Sequence, residues 1–414
     1  MQIVILGLNY APETSGIAPY TRGLATGLAK RGHDVKVIAG YPHYPAWKID
    51  SQYRGWTFRE KLDGVSVQRL RHYVPSSPTN LNRIWLECTY GARISTTGWG
   101  NPDVILCVSP ALLASAMALA RNRLTPKRPP IGLVVQDLYS AGIAETKAAG
   151  GAVSTLAAKF EAMVLRKTDG IAVVHERFGS NVANKMGISE DKIRIIRNWT
   201  HLPKTVQQDR KLSRSERGWK DNKIIVLHAG NMGVKQGLEN VVEAARLADS
   251  QLDNRVNFIL MGDGNQRSAL EIRAKGIRSL QFLDPVPDEQ FQSMLADSDV
   301  LLVNERPGVE EMSVPSKLTS YFSAGVPVLA ATSATGTTGA EIASSNGGII
   351  VTPGDPKALI AGVLQLADNK ELSRTLGQAG IAYSRRNLNA EHAIDQYEKW
   401  LQELVQQSKG EEQR

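Results

Sequence analysis

The sequence predicts an α/β protein built from two doubly wound domains, and three observations carry that expectation. At 414 residues the chain is long for a single core and suits two domains of about 200 residues each. Short apolar runs alternate with helix-patterned segments over residues 1–200, and the alternation restarts after residue 222. Between the two series, residues 201–222 (HLPKTVQQDRKLSRSERGWKDN) are polar and charged, a linker with a short surface helix. The boundaries that follow are 1–203, 204–385 and a tail at 386–414. The tail's amphipathic helix, Glu391–Gln406 with Trp400, suits either domain and is free to cross back to the first.

The first series opens with the apolar run Ile3–Leu6, the loop GLNYAPETSG and a helical pattern from Ile17 to Arg31. Gly32 caps that helix, and Val35–Ala39 makes the next strand, completing a βαβ unit. Gly7 and Gly16 are nine apart, too wide for the G-x-G-x-x-G turn, yet the loop still leaves the carboxyl end of a strand. The stretch YPHYPAWKIDSQYRGWTF is too rich in proline for a helix and reads as an ordered loop or lid. Val65–Arg71 is a strand. Residues 81–100 then set Trp85, Tyr90 and Trp99 beside Arg83 and Arg93. That pattern fits a helix gripping a headgroup layer, although a helix packed on the core shows it too and is the plainer reading.

Val104–Val108 and Ile131–Val135 are continuous apolar runs of the kind that parallel sheets bury on both faces. Asp137 follows the second run at the strand's carboxyl end, where ligands bind in such sheets; a loop-closing or capping role is the plain alternative. A helix over 155–168 leads to Ile171–Val174 and His175, where a lone histidine reads as a hydrogen-bonded structural residue. Arg194–Ile196 closes the series.

The second series runs Lys223–His228 as strand, Gly230–Gly237 as loop and Leu238–Ser250 as helix. Val256–Met261 is a strand ending in Gly262-Asp263-Gly264. A helix over 265–275, a strand at Leu280–Leu283, a loop, a helix to Asp297 and a strand at Val300–Asn304 follow. Residues 304–330, NERPGVEEMSVPSKLTSYFSAGVPVLA, organise the rest. An acidic loop meets Pro315-Ser316-Lys317-Leu318 at a helix start, Gly325 ends the helix, and Val326–Ala330 is a buried strand. Unpaired amides and the Lys317 charge together suit an anion such as a phosphate; a capped core helix is the bland alternative.

The charge is uneven. Residues 1–200 carry 25 Lys and Arg against 14 Asp and Glu, net +11, whereas the remainder carries 24 against 27, net −3. A basic half points to an anionic partner: phosphorylated substrate, anionic lipid or nucleic acid. Its cations are scattered and form no nucleic-acid recognition motif, so no nucleic-acid partner is expected. Cys88 and Cys107 lack metal or redox spacing, and no run of about 18 apolar residues occurs. The opening MQIVILGLNY lacks the features of a signal peptide. The expectation is a cytoplasmic protein, with peripheral residence on the inner face of the plasma membrane open to it. Asp297-Ser298-Asp299 spells D-x-D but falls between a helix and a strand, so a turn is the better reading, and no metal site is assigned.

Taken in order, YAPETSGIAPYTRGLATGLAKRGHDVKVIAG, GYPHYP, VVQDLY, RIIRNW, HAGNMGVKQGLENVVEAA, LMGDGNQR and PSKLTSYFSAGVPVLA resemble the GT-B glycosyltransferases of family 4. The likeness is greatest to the bacterial exopolysaccharide and O-antigen branch with its colanic-acid-type enzymes, and it covers nearly the whole chain. The resemblance implies two Rossmann-like domains facing across a cleft. It also implies a hexosyltransferase-type enzyme that moves a sugar, with retention, from a UDP- or GDP-sugar to a hydroxyl of a saccharide acceptor, with a lipid-linked one expected. The nucleotide-sugar is then a substrate, no cofactor is needed, and the fold requires no divalent metal.

On that resemblance Lys317 and the amides near Ser313 and Ser316 take the diphosphate, with Lys235 assisting and Gly16 closing over it. Gly230, Asn231, Leu318 and Ser320 border the nucleotide, Val286 and Pro287 present backbone to the base, and Gly262 and Gly264 allow close approach. Glu311 orients the sugar and Asp137 serves the acceptor. The family's paired glutamates fall here on Met312, with Glu310 and Glu311 adjacent, and on Ser320. Asn231 and Gln236 replace its Arg and Lys phosphate contacts, which shifts phosphate charge onto Lys317. A nucleotide-sugar epimerase of the same fold and a non-enzymatic binder of anionic lipid or nucleic acid are the rival readings.

Overall fold

The computed structural model describes residues 1–13, 16–76, 79–138, 140, 151–200, 209–250, 255–310 and 316–412. The chain divides into two compact units, Met1–Asn198 with Ala390–Arg414, and Trp199–Asn389.

The first unit carries strands β1 (Gln2–Gly7), β2 (Asp34–Gly40), β3 (Thr57–Leu62), β4 (Val65–Leu70), β5 (Val104–Val108), β6 (Ile131–Val135), β7 (Gly170–Val173) and β8 (Ile193–Ile195). They lie in the order β3-β4-β2-β1-β5-β6-β7-β8, parallel throughout except for β3, which runs antiparallel to β4. β5 and β6 are buried at every position, as their unbroken apolar runs require.

The edge strand β3 takes only the last two residues, Thr57 and Phe58, of the loop or lid expected over 41–58, and was itself not expected. Its sequence, TFREKL, alternates exposed and half-buried positions, because an edge strand shows one face to water. Three adjacent charges hid that alternation, and charge is what protects an edge from further pairing. The expected helix over 81–100 spans Asn80–Thr96 and is capped by Thr79, whose side chain accepts from the amide of Asn82 at 3.3 Å. His175 behaves as the structural reading holds. It caps the helix Glu176–Met186, its Nδ1 accepting from the Arg177 amide at 3.0 Å.

The C-terminal helix, Ala390–Glu412, packs on the first unit, across a floor of glycines. A Cβ at Gly132 would lie 2.7 Å from the Trp400 ring, one at Gly170 2.8 Å from Leu404, and one at Gly27 2.8 Å from Ile394. At one end Arg31 pairs with Asp395 at 2.6 Å, and His33 Nε2 meets Glu398 at 2.8 Å.

The second unit carries β9 (Ile224–Ala229), β10 (Val256–Met261), β11 (Leu280–Leu283), β12 (Val300–Asn304), β13 (Val328–Ala331) and β14 (Gly348–Val351). Their order is β11-β10-β9-β12-β13-β14, all parallel. Alternate residues feed two cores. Val226, Phe258, Leu260 and Leu302 pack under the helices Glu239–Ser250 and Pro356–Asp368. Ile225, Leu227, Ile259 and Val303 pack against Leu318, Tyr321 and Phe322 of the helix Lys317–Ser323. The strand order reverses between β9 and β12, where an open sheet leaves a crevice at its carboxyl edge.

Candidate functional site

Three glycines shape that edge. Gly230, Gly262 and Gly264 follow β9 and β10 with φ of +132°, +139° and +155°, values that L side chains rarely adopt. A Cβ on Gly262 would sit 1.9 Å from the Gly230 carbonyl oxygen, so only glycine lets the two loops touch. The Met232 amide donates to Asp263 O at 2.8 Å, and the Gln266 amide donates to Met232 O at 2.9 Å. From β12, Asn304 Nδ2 donates to the carbonyls of Gln236 and Gly237 at 2.7 and 3.0 Å, and the Arg306 amide donates to Lys235 O at 2.8 Å. The loops after β9, β10 and β12 are thus tied into one frame.

Lys317 enters this frame from the first helical position after Ser316. Its Nζ stands 3.2 Å from Nε2 and 3.5 Å from Nδ1 of His228. Its terminal carbon and Nζ also approach Gly230, each 3.6 Å from where a Cβ would be. His228 is fully buried in β9, and burial first, then the Lys317 charge, push its pKa far down. The ring is therefore neutral and offers the ammonium no countercharge. Burial lowers the Lys317 pKa from its ordinary 10.5 to about 7; the Glu305 carboxylate opposes the shift and the Lys235 charge adds to it. Glu305 is held in turn by the hydroxyls of Thr332 and Thr338, the latter at 2.6 Å. The result is a recessed, half-compensated cation at a crossover point, rimmed by backbone, which is chemistry suited to an anion.

The other expected residues fall as follows. Ser316 is exposed, and its carbonyl accepts from the Thr319 amide and hydroxyl at 3.2 and 2.7 Å. The helix it opens has seven residues, so the positive charge comes from Lys317 more than from a long helix dipole. Leu318 turns its side chain into the core, leaving only backbone for a ligand, and Ser320 is 4% exposed, its position recessed because this face of the short helix packs on the sheet. Val286 packs its side chain against the same core, while Pro287 is exposed ahead of the helix Asp288–Asp297. Asn231 is exposed beside Gly230, and Lys235 is half-buried in the turn Val234–Gln236. Glu311 and Ser313 lie outside the described residues.

In the first unit Gly16 is exposed with φ +67°, two residues ahead of the helix Ala18–Lys30. Asp137 stands half-buried after β6, and its carbonyl accepts from Ser109 Oγ at 3.4 Å. Beside it, Gln136 Oε1 accepts from Asn198 Nδ2 at 2.8 Å.

Sequence reasoning missed three residues. His228 carries no spacing signal, since its partner is 89 positions away. Glu305 was passed over as part of a polar loop. Glu13 ties the loop after β1 to the loop after β2. Its carboxylate accepts from the amides of His43 and Tyr44 at 2.8 and 2.9 Å, and from Asn9 Nδ2 at 2.9 Å.

The D-x-D is a turn held by arginines. Asp297 pairs with Arg217 at 2.6 Å, and Asp299 with Arg210 and Arg214 at 2.8 and 3.0 Å. The aromatic segment is partly buried and partly exposed. Tyr90 and Trp99 are buried, whereas Leu81, Ile84 and Trp85 are exposed, with Trp85 at 60%. Among the described residues no helix is long and apolar enough to cross a membrane.

Comparison with known proteins accords with this geometry. The model of the glycosyl transferase 4-like domain matches residues 15–199, and that of the glycosyl transferases group 1 matches residues 209–383. A protein of Escherichia coli K12 named for colanic acid biosynthesis, the glycosyl transferase WcaI, is 29% identical over 96% of this chain and 98% of its own. A glycosyltransferase of Methanocaldococcus jannaschii is 25% identical over 88% of each chain. Among solved structures, sucrose-phosphate synthase of Thermosynechococcus elongatus superposes with TM-score 0.74 at 16% identity, covering 98% of this chain and 99% of that one. HepE of Anabaena in complex with UDP-glucose gives 0.71 at 16% identity, over 97% and 99%. With a transferase model matched on each side of the linker and the two Rossmann-like sheets in place, the chain belongs to the GT-B, family-4-like glycosyltransferases.

Proposed function

We propose that the protein transfers a sugar, with retention of configuration, from a nucleotide-sugar to a hydroxyl of a lipid-linked saccharide in bacterial polysaccharide assembly. The observation that carries this reading is the Lys317 ammonium, set against neutral His228 at the β9–β12 crossover and rimmed by Gly230. A departing nucleoside diphosphate gains negative charge as the glycosidic bond breaks. A fixed cation in a poorly solvated frame stabilises that charge without reorganising first. Lys235 adds to the field, and the glycine turns at Gly262 and Gly264 let backbone amides approach the phosphates. The leaving phosphate oxygen takes the acceptor's proton, Asp137 positions the acceptor hydroxyl, and Lys317 supplies charge that a divalent metal supplies elsewhere. UDP-glucose bound to the similar fold of HepE supports a nucleotide-sugar donor, and the name of WcaI supports the polysaccharide setting.

A lipid anchor on the acceptor is the reading that Leu81, Ile84 and Trp85 support, exposed at helical spacing on a basic unit. Sedimentation with anionic liposomes, reduced by Trp85→Ser, tests it; a protein left wholly in the supernatant at low salt would count against it. For the donor, melting shifts with a panel of UDP-, GDP- and TDP-sugars name the nucleotide. Stabilisation by none of them would sink the donor assignment. Conversion of a donor without acceptor, giving a changed sugar still on the nucleotide, would instead favour an epimerase.

A further inference from the structure

The first unit has a polar concavity away from the strand ends that carry Asp137. It is a pocket of about 530 Å³ on the β2–β4–β3 side of the sheet, lined by Lys36, Arg59, Glu60, Ser66, Gln68 and Gly98 among others. The register explains the grouping. Lys36 lies opposite Ser66 and Arg59 opposite Gln68, and Ser66 and Gln68 are two apart on one strand, so all four project from one face. Lys36 stands four residues before the end of β2, roughly 13 Å down the strand at about 3.3 Å per residue.

Its polar groups are under-used. The Lys36 ammonium donates once, to Gly98 O at 2.8 Å, and two of its three protons are uncommitted. Arg59 makes no ion pair among the described residues, and the neighbouring Glu60 carboxylate is engaged by buried Arg69. Burial first, and then the charges of Arg59 and Arg121, lower the Lys36 pKa. Gln68 is 7% exposed and lines the pocket, yet its amide makes no hydrogen bond among the described residues. Its amide faces the open pocket, where water or a ligand can pair with it.

We propose that this pocket binds an anionic sugar, a carboxylate or phosphate carried on a hydroxylated ring. Lys36 and Arg59 hold the anion, the guanidinium offering the fork that suits such planar groups. The Gln68 amide, donor and acceptor at once, pairs with ring hydroxyls together with Ser66. The volume lies within the usual range for small-ligand sites. The site is independent of the donor reading above.

The test is calorimetric titration of glucuronate and of glucose 6-phosphate into the full chain, its Arg59→Ala and Gln68→Leu variants, and Lys317→Ala. At least one of the two sugars should bind saturably, and the tighter one tells carboxylate from phosphate. Arg59→Ala and Gln68→Leu should each weaken binding tenfold or more, whereas Lys317→Ala should leave it unchanged. Arg59 is exposed, so its variant serves even should Gln68→Leu unfold. Absence of saturable binding to the wild type overturns the proposal. So does unchanged affinity in Arg59→Ala, loss of binding in Lys317→Ala, or equal binding of glucose or inorganic phosphate.

Discussion

The two units share a parallel order that reverses beside the first strand of each sheet, yet their carboxyl edges are held in opposite ways. In the second unit the loops after β9, β10 and β12 are locked to one another by backbone bonds and by glycines that no larger residue could replace. In the first unit the loops after β1 and β2 meet through one carboxylate, Glu13, which gathers two amides and a side chain. The second edge carries a recessed cation with neutral His228 beside it; the first carries Asp137 and a buried carboxylate. A backbone-made frame suits a ligand part that is always the same, such as a diphosphate. A frame hung on one side chain leaves its loops room to differ between relatives that handle different partners.

The comparison breaks most directly at Lys317. Lys317→Ala should lower turnover by about 100-fold or more, the usual scale for losing a charge-stabilising donor, while the melting temperature holds or rises. Wild-type rates in a less stable variant would refute the donor-edge assignment. Gly262→Ala comes next. The added Cβ meets the Gly230 carbonyl and the φ is one only glycine tolerates, so the frame shifts by a strain of about 1–3 kcal/mol. Nucleotide affinity should fall with it, and an unaltered affinity would show that the loops are not tied as described.

Glu13→Ala probes the other edge. It strands the amides of His43 and Tyr44, which should cost about 1–3 kcal/mol, read as a lower denaturant midpoint with nucleotide affinity unchanged. If nucleotide affinity fell as well, the contrast between the edges would be lost. The smallest effect is with pH. The Lys317 pKa is about 7 in the fold against 10.5 ordinarily. Between those values the unfolded chain binds more protons, so this group makes stability rise with pH across that window, and contributes no slope below it. A bound diphosphate favours the charged form, so nucleotide affinity should decline as pH rises above about 7, with proton uptake visible by calorimetry in two buffers. Lys317→Met should flatten both trends; a decline that survives in that variant would assign it elsewhere.

Legibility from sequence tracked burial. β5, β6, β10 and β12 begin and end where the sequence placed them, because short apolar runs bounded by polar turns leave no other register, and the half-exposed edge strand β11 does so without that burial. β3 escaped, since its alternation is written in Arg, Glu and Lys. Lys317 was legible because proline, serine and lysine precede an apolar helix. His228 and Glu305 were not, for they matter only once distant strands lie side by side. The recessed positions of Leu318 and Ser320 likewise depend on which face of a two-turn helix meets the sheet, and seven residues are too few for periodicity to decide that.

The helix Ala390–Glu412 completes a unit whose first strand is made almost four hundred residues earlier. During synthesis the second unit, one unbroken stretch, is available to fold before the first is whole, reversing the usual amino-to-carboxyl sequence of events. Until Trp400 and Leu404 emerge from the ribosome, the glycine floor at Gly132 and Gly170 is an uncovered trough. Chaperone demand should therefore concentrate on the half that was translated first.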